Sequence, residues 1–145
     1  MPVDKTVKLG KDVKIPYPDL VNLYGCVLGD NVFVGPFVEI QKNVTIGKNS
    51  RVSSHSFICE GVTVGDNVFI AHGVMFINDL YDSPNTKNWV MKNTFIEDNV
   101  RIGSNVTILP VRIGKNSIIG AGAVVIRHVP DGAVVIGNPG RVLRK

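Results

Sequence analysis

The chain repeats its large apolar residues at one fixed interval. From Leu28, steps of six reach Val34, Ile40, Ile46, Val52, Ile58, Val64, Ile70 and Phe76 without a break. At 44% hydrophobic content, nine such residues in a preset phase have a chance of roughly one in 1,600. Neighbouring positions keep the phase. Gly29, Gly35, Gly47 and Gly65 each follow an anchor by one, while Val32, Val38, Val44, Ser50, Ser56, Val62, Val68 and Val74 follow by four. The series resumes at Ile96, Ile102 and Ile108, shortens to a step of five at Ile113, and continues through Ile119 and Val125. Upstream, Leu9 and Ile15 are six apart, with an irregular patch over 16–22 before Leu28.

A period of six matches neither the helical period nor a long alternating strand. It reads as short strand, turn, short strand, the unit of a parallel β-helix. One segment, 80–93, breaks the register between Phe76 and Ile96. It is polar, carries Pro84 and the chain's single Trp, Trp89, and is expected to be a loop thrown out of the coil. Residues 1–145 are thus read as one all-β domain, with an excursion loop at 80–93 and a C-terminal segment at 130–145.

Composition narrows the setting. Aromatics are few at 7% and glycines number 15, which suits Val- and Ile-rich strands joined by tight turns. No apolar run is long enough to span a membrane, and no basic-then-apolar leader opens the chain. Cys26 and Cys59 are too few for a disulfide framework and form no metal-ligand pair, so a reducing cytoplasm is expected. The net charge of +4 suits an anionic ligand such as a nucleotide or CoA. Apart from Arg141, Arg144 and Lys145 the basic residues are scattered, which does not make the stripe that nucleic-acid binding needs.

The repeat over residues 9–129 resembles the left-handed β-helix acyltransferases, and so does the ending Ile119-Gly-Ala-Gly-Ala-Val-Val125, Val129-Pro130, Gly137-Asn-Pro-Gly-Arg-Val-Leu-Arg144. Val52-Ser-Ser-His-Ser-Phe-Ile-Cys-Glu-Gly61 and Phe76-Ile-Asn-Asp-Leu-Tyr81 are similar to the nucleotide-sugar N-acetyltransferases, which acetylate an amino group, often the 3-amino group, of a UDP- or dTDP-linked sugar. The resemblance implies a left-handed parallel β-helix of three hexapeptides per coil, with about six coils in this chain. It also implies acetyl-CoA as co-substrate and a homotrimer with an active site in each cleft between subunits. Residues 18 apart then stack on one face, separated by the strand spacing of about 4.8 Å.

That register selects candidates for the chemistry. Glu60 and Asn78 each stand two after an anchor and differ by 18, at the mouth of the excursion; Lys42 extends their column. A carboxylate beneath an amide suits a grip on an amino group, and Asn78 matches the substrate-contacting Asn that the resembled enzymes carry before their loop. A plain turn and a solvated corner are the bland alternative for the pair. His55 and His72 occupy outward turns one coil apart, where either is a candidate general base or nucleotide contact. His128, near Pro130, is expected to take no catalytic part. For CoA, the resemblance points to Ser104, Ala121, Ile126 and Arg127, and Arg127, Arg141 and Arg144 suit its phosphates.

Three other readings compete. O-acetylation of a hydroxyl would need a His at the acceptor. A γ-type carbonic anhydrase would need three zinc-binding histidines, and Ile77 and Asn78 stand where a second ligand would follow His72; no metal is expected. A non-catalytic scaffold would need neither the loop nor the C-terminal segment.

Overall fold

The structure, a computed structural model, describes residues 2–83 and 89–144. Its regular unit explains the period of six. In almost every repeat the anchor is the second residue of a two-residue strand, buried, and the residue before it faces outward, as in Val27–Leu28 and Thr45–Ile46. Three corner residues follow. The residue after them turns inward again, which is why Val32, Val38, Val44 and Val68 are all at most 1% exposed. The core is therefore a stack of Val and Ile layers, with Phe76 its one fully buried aromatic among the described residues.

Strands are numbered in chain order and fall on three faces. Face 1 stacks β1 (Lys8–Leu9), β3 (Val27–Leu28), β6 (Thr45–Ile46), β9 (Val62–Val64), β12 (Thr94–Ile96) and β15 (Arg112–Ile113). Face 2 stacks β4 (Phe33–Val34), β7 (Arg51–Val52), β10 (Phe69–Ile70), β13 (Arg101–Ile102), β16 (Ile118–Ile119) and β18 (Val134–Ile136). Face 3 stacks β2 (Asn22–Leu23), β5 (Glu39–Ile40), β8 (Phe57–Ile58), β11 (Met75–Phe76), β14 (Thr107–Ile108) and β17 (Val124–Val125). All these pairings are parallel. The last strand, β19 (Arg141–Arg144), returns antiparallel to β18 and lies at one end of face 2. Among the described residues no helix is long and apolar enough to cross a membrane.

The expectation of about six coils falls one short. Isolated parallel bridges at Val3 with Leu23, Lys14 with Phe33, and Val129 with Ile113 give each face seven rungs among the described residues. The rungs outside the repeat read over 9–129 are Val3 at one end and β18 at the other. In the first coil the irregular patch carries a short 3-10 helix, Pro18–Leu20, in place of a regular corner.

The register accounts for the two breaks in the period. Phe95 pairs with Thr63 at a separation of 32 instead of 18, and the 14 extra residues equal the length of segment 80–93. The coil closes over the excursion without losing phase. The five-residue step leaves Phe95 opposite Arg112, 17 residues on, so it removes one corner residue and no strand residue.

Buried hydroxyls at the inward corner position are satisfied by the next turn: Ser50 Oγ donates to the Gly65 carbonyl at 2.9 Å and Ser56 Oγ to the Ala71 carbonyl at 2.9 Å. Thr94 Oγ1 is the exception. It is fully buried with no hydrogen-bond partner among the described residues, at a position that other coils fill with Val. An orphaned buried hydroxyl costs about 1–3 kcal/mol. Thr94→Val is therefore expected to raise stability by about 1 kcal/mol, read as a higher urea midpoint at unchanged m-value; a lower midpoint would refute it.

Candidate active site

Three corners per coil make three edges, and they differ in composition. Edge 1–2, between faces 1 and 2, repeats one turn: Gly29-Asp30-Asn31, Gly47-Lys48-Asn49, Gly65-Asp66-Asn67, Glu97-Asp98-Asn99 and Gly114-Lys115-Asn116. Each Asn is left-handed, with φ between 57° and 62°. Asn tolerates that conformation better than most residues because its side chain is short and polar, and here it also links coils, as from Asn31 Nδ2 to Asn49 Oδ1 at 3.2 Å. The glycines admit the next turn closely; a Cβ on Gly47 would run into the Gly65 carbonyl. Asp66 Oδ1 accepts the Lys48 N–H at 3.0 Å, and Asp98 Oδ1 the Asp66 N–H at 2.8 Å. This edge is spent on holding coils together, and departures from its turn on the other two edges mark where side chains serve something else.

Edge 2–3 runs through Pro36-Phe37, Ser54-His55, His72-Gly73, Ser104-Asn105 and Ala121-Gly122 on successive rungs. Four of the expected site residues, His55, His72, Ser104 and Ala121, thus share one line. Ser54 Oγ lies 2.8 Å from His72 Nδ1, a pairing that fixes the ring and leaves Nε2 outward on an exposed side chain. His55 is left-handed and its ring stacks on that of Phe37, centroids 4.9 Å apart and planes 24° apart.

Edge 3–1 carries the others. Glu60 and Asn78 stand on adjacent rungs, but they meet differently from the expected carboxylate beneath an amide. Asn78 Nδ2 donates to the Glu60 main-chain carbonyl at 3.1 Å. The Glu60 carboxylate faces the other way along the column, accepting from Asn43 Nδ2 at 3.0 Å, and its N–H donates to Gln41 Oε1 at 3.0 Å. Gln41 and Asn22 in turn each donate to Glu39 at 3.0 Å. Burial, and then the Glu39 carboxylate, push the Tyr24 phenol above its usual pKa, which places Tyr24 against this network. The Asn78 carbonyl accepts the Lys92 N–H at 3.0 Å and so closes the neck of the excursion, whose returning Met91 packs over Gly61. Tyr81 and Trp89 on the loop are exposed; Pro84 and the rest of 84–88 lie outside the described residues.

Further along this edge, Ile126 and Arg127 line a cavity of about 400 Å³ between the last coils and the C-terminal hairpin, together with His128, Pro139 and Arg141. Arg144 sits on β19, exposed and away from that lining. A second depression of about 260 Å³ on the outside of face 2 is lined by Phe69, Arg101, Ile118 and Ala121. His128 Nδ1 accepts the Arg112 N–H at 2.9 Å, a structural engagement. Among the described residues no three His, Cys, Asp or Glu side chains are placed to hold a metal ion.

Sequence reasoning overlooked Ser54 and Phe37. The signal existed: three residues after an anchor the chain is almost always Asn or Gly, and Phe37 and His55 break that rule on consecutive coils.

The coil agrees with what the chain is similar to. The family described as bacterial transferase hexapeptide (six repeats) matches residues 25–60, and the hexapeptide repeat of succinyl-transferase matches residues 94–127. The hexapeptide-repeat-containing acetyltransferase VCA0836 of Vibrio cholerae O1 biovar eltor, complexed with acetyl coenzyme A, is 30% identical, with 83% of this chain and 70% of that one covered and a TM-score of 0.69. The chain belongs to the hexapeptide-repeat acetyltransferases. Two further relatives are the putative acetyltransferase YJL218W of Saccharomyces cerevisiae, 40% identical over 80% of this chain and 64% of its own, and the bifunctional protein GlmU of Thermosipho melanesiensis, 41% identical over 77% of this chain. The chain spans only 23% of that GlmU, about a quarter of the length of such relatives.

Both cysteines are buried, and burial raises each thiol to about 11, so neither supplies a thiolate for a covalent acyl intermediate at neutral pH. A raised thiol stabilises the fold fully below the unfolded value of 9.0, and that contribution is lost as pH rises towards 11. Native protein at pH 8 is expected to resist Ellman's reagent, with stability falling between pH 9 and 11 and less so in Cys59→Ala; rapid labelling at pH 8 would refute the assignment.

Proposed function

We propose that this protein transfers an acetyl group from acetyl-CoA to the amino group of a nucleotide-linked sugar. The observation that carries the reading is the line of edge 2–3, where an outward His72 oriented by Ser54 stands directly above Ser104 and Ala121. Base and orienting partner are within hydrogen-bond reach, the arrangement general-base catalysis needs. In the tautomer with the proton on Nδ1, His72 donates that N–H to Ser54 Oγ and keeps the Nε2 lone pair for the acceptor. The sugar nitrogen attacks the thioester carbonyl carbon; the C–N bond forms, the C–S bond breaks, and the electron pair leaves on sulfur. His72 takes the proton from nitrogen and returns it to the departing thiolate. Holding the two substrates in line supplies much of the acceleration.

Acetyl-CoA lies along the C-terminal rungs in this reading, its pantetheine arm past Ser104, Ala121 and Ile126 and its phosphates near Arg127, Arg141 and Arg144. The cavity beside Ile126, Arg127 and Arg141 supports that placement, since guanidinium groups suit phosphate. Asn78, Glu60 and the excursion serve the acceptor. The candidate residues of one chain lie on two edges, with face 3 between them. A homotrimer reconciles this: each cleft takes edge 2–3 from one subunit and edge 3–1 from its neighbour. A hydroxyl acceptor is the second reading, favoured by the same Ser54–His72 pair, because an alcohol needs a base more than an amine does.

His72→Ala is expected to lower kcat about 10²- to 10⁴-fold with acetyl-CoA binding retained, and Asn78→Ala to lower it about 100-fold. Thiol release over a panel of UDP- and dTDP-linked amino sugars and their hydroxyl analogues is the measurement. Turnover on hydroxyl compounds alone would replace the amine reading, and wild-type turnover in His72→Ala would remove His72. Co-expressing the His72→Ala and Asn78→Ala chains should restore about a quarter of activity in a shared-site trimer; no recovery would place both residues in one subunit's site.

A further inference from the structure

The two exceptions at the left-handed corner stand out on physical grounds. Phe37 has φ 61° and His55 φ 64°, where the regular edge uses Asn31, Asn49, Asn67, Asn99 and Asn116, with Asp12 and Gly132 at its two ends. Phe is bulky and has no polar group to bond its own backbone in that conformation, so it carries strain of about 1–3 kcal/mol. Burial does not offset the strain, because Phe37 is 54% exposed. Its N–H donates to the Leu20 carbonyl at 2.6 Å, and the His55 N–H to the Pro36 carbonyl at 3.2 Å, so the backbone is held in place from the coil before.

The ring separation of 4.9 Å equals one coil step, so the stack runs along the ladder, Phe37 first and His55 next. The following rung is Gly73, with φ 67° and no side chain. Asn105 stands one rung further, its Oδ1 2.5 Å from where a Gly73 Cβ would sit. The face of the imidazole turned away from Phe37 therefore looks onto a rung whose own residue has no side chain and into which the Asn105 amide leans, and the residue beside that rung is His72, the proposed base.

We propose that Phe37 and His55 form a platform for the pyranose ring of the acceptor, which lies by its C–H face on the imidazole, beside the side-chain-free Gly73 and the Asn105 amide, and turns its reacting group to His72. This rests on the sugar-acetyltransferase reading above. Aromatic faces are electron-rich and pair with the weakly positive C–H edges of a saturated ring, and a stacked pair holds its geometry better than a lone side chain. A side chain on Gly73 would crowd the ring, and the strained corners are kept because Asn there would give no platform.

The test replaces each exception with the residue that the regular edge uses. Phe37→Asn relieves the strain, so its thermal midpoint should hold or rise. Its KM for an amino-sugar acceptor should rise about three- to ten-fold while the KM for acetyl-CoA stays. Gly73→Asn, which fills the rung once Asn105 gives way, should raise the acceptor KM in the same manner. A fall in midpoint with unchanged acceptor KM would make Phe37 merely structural, and unchanged acceptor KM in both variants would overturn the platform. Saturation-transfer NMR with glucosamine 1-phosphate and with UDP-N-acetylglucosamine is the direct readout. Saturation of ring C–H protons by wild type, lost in Phe37→Asn, supports the proposal; saturation of neither sugar by wild type overturns it. Thiol release with acceptors other than sugars would show the transferase reading surviving that failure.

Discussion

A strand only two residues long cannot turn a chain by itself, and everything in this molecule follows from the corner that does. Each coil bends three times, and in nearly every regular corner one residue adopts a left-handed backbone that most side chains avoid. Asn and Gly fill that position on edge 1–2 and on most other corners. With the bend secured, parallel pairing above and below satisfies the backbone, Val and Ile fill the layers, and the rungs stay in phase through an excursion of 14 residues.

The corners also divide labour. Edge 1–2 binds coil to coil with Asp carboxylates on backbone N–H groups and gives up its side chains to that task. Edges 2–3 and 3–1 are released from it, and their side chains face solvent and one another instead. The Ser54–His72 contact, the Phe37–His55 stack and the Glu60–Asn43–Gln41 network are the result. Exposed chemistry is thus placed by rung number along an edge, much as a lettered rail places type.

Most of the fold was legible because burial and period are the same fact here. Leu28 to Phe76 recur every six residues since each is the inward residue of its strand. The first coil was legible only in part: Leu9 and Ile15 keep the step of six, but the 3-10 helix Pro18–Leu20 breaks the phase and Val3 bridges to the next turn singly. The register put His55 and His72 on adjacent coils of one edge and Glu60 beneath Asn78, since it fixes which Cα atoms adjoin. It could not give the direction of a side chain. Asn78 turns to the Glu60 carbonyl through a rotamer that spacing does not encode, whereas Ser54, 18 residues before His72, was legible as its neighbour and was passed over.

The excursion leaves and re-enters between two rungs that remain in register, its neck fastened by the Lys92 N–H on the Asn78 carbonyl. In a solenoid each rung touches only its neighbours, so what hangs from one rung is mechanically invisible to the rest. The loop is therefore a replaceable attachment on a fixed rail. Lineages sharing this coil are free to lengthen, shorten or exchange it, changing what that edge presents while the rungs of Ser104 and Ala121 go on untouched.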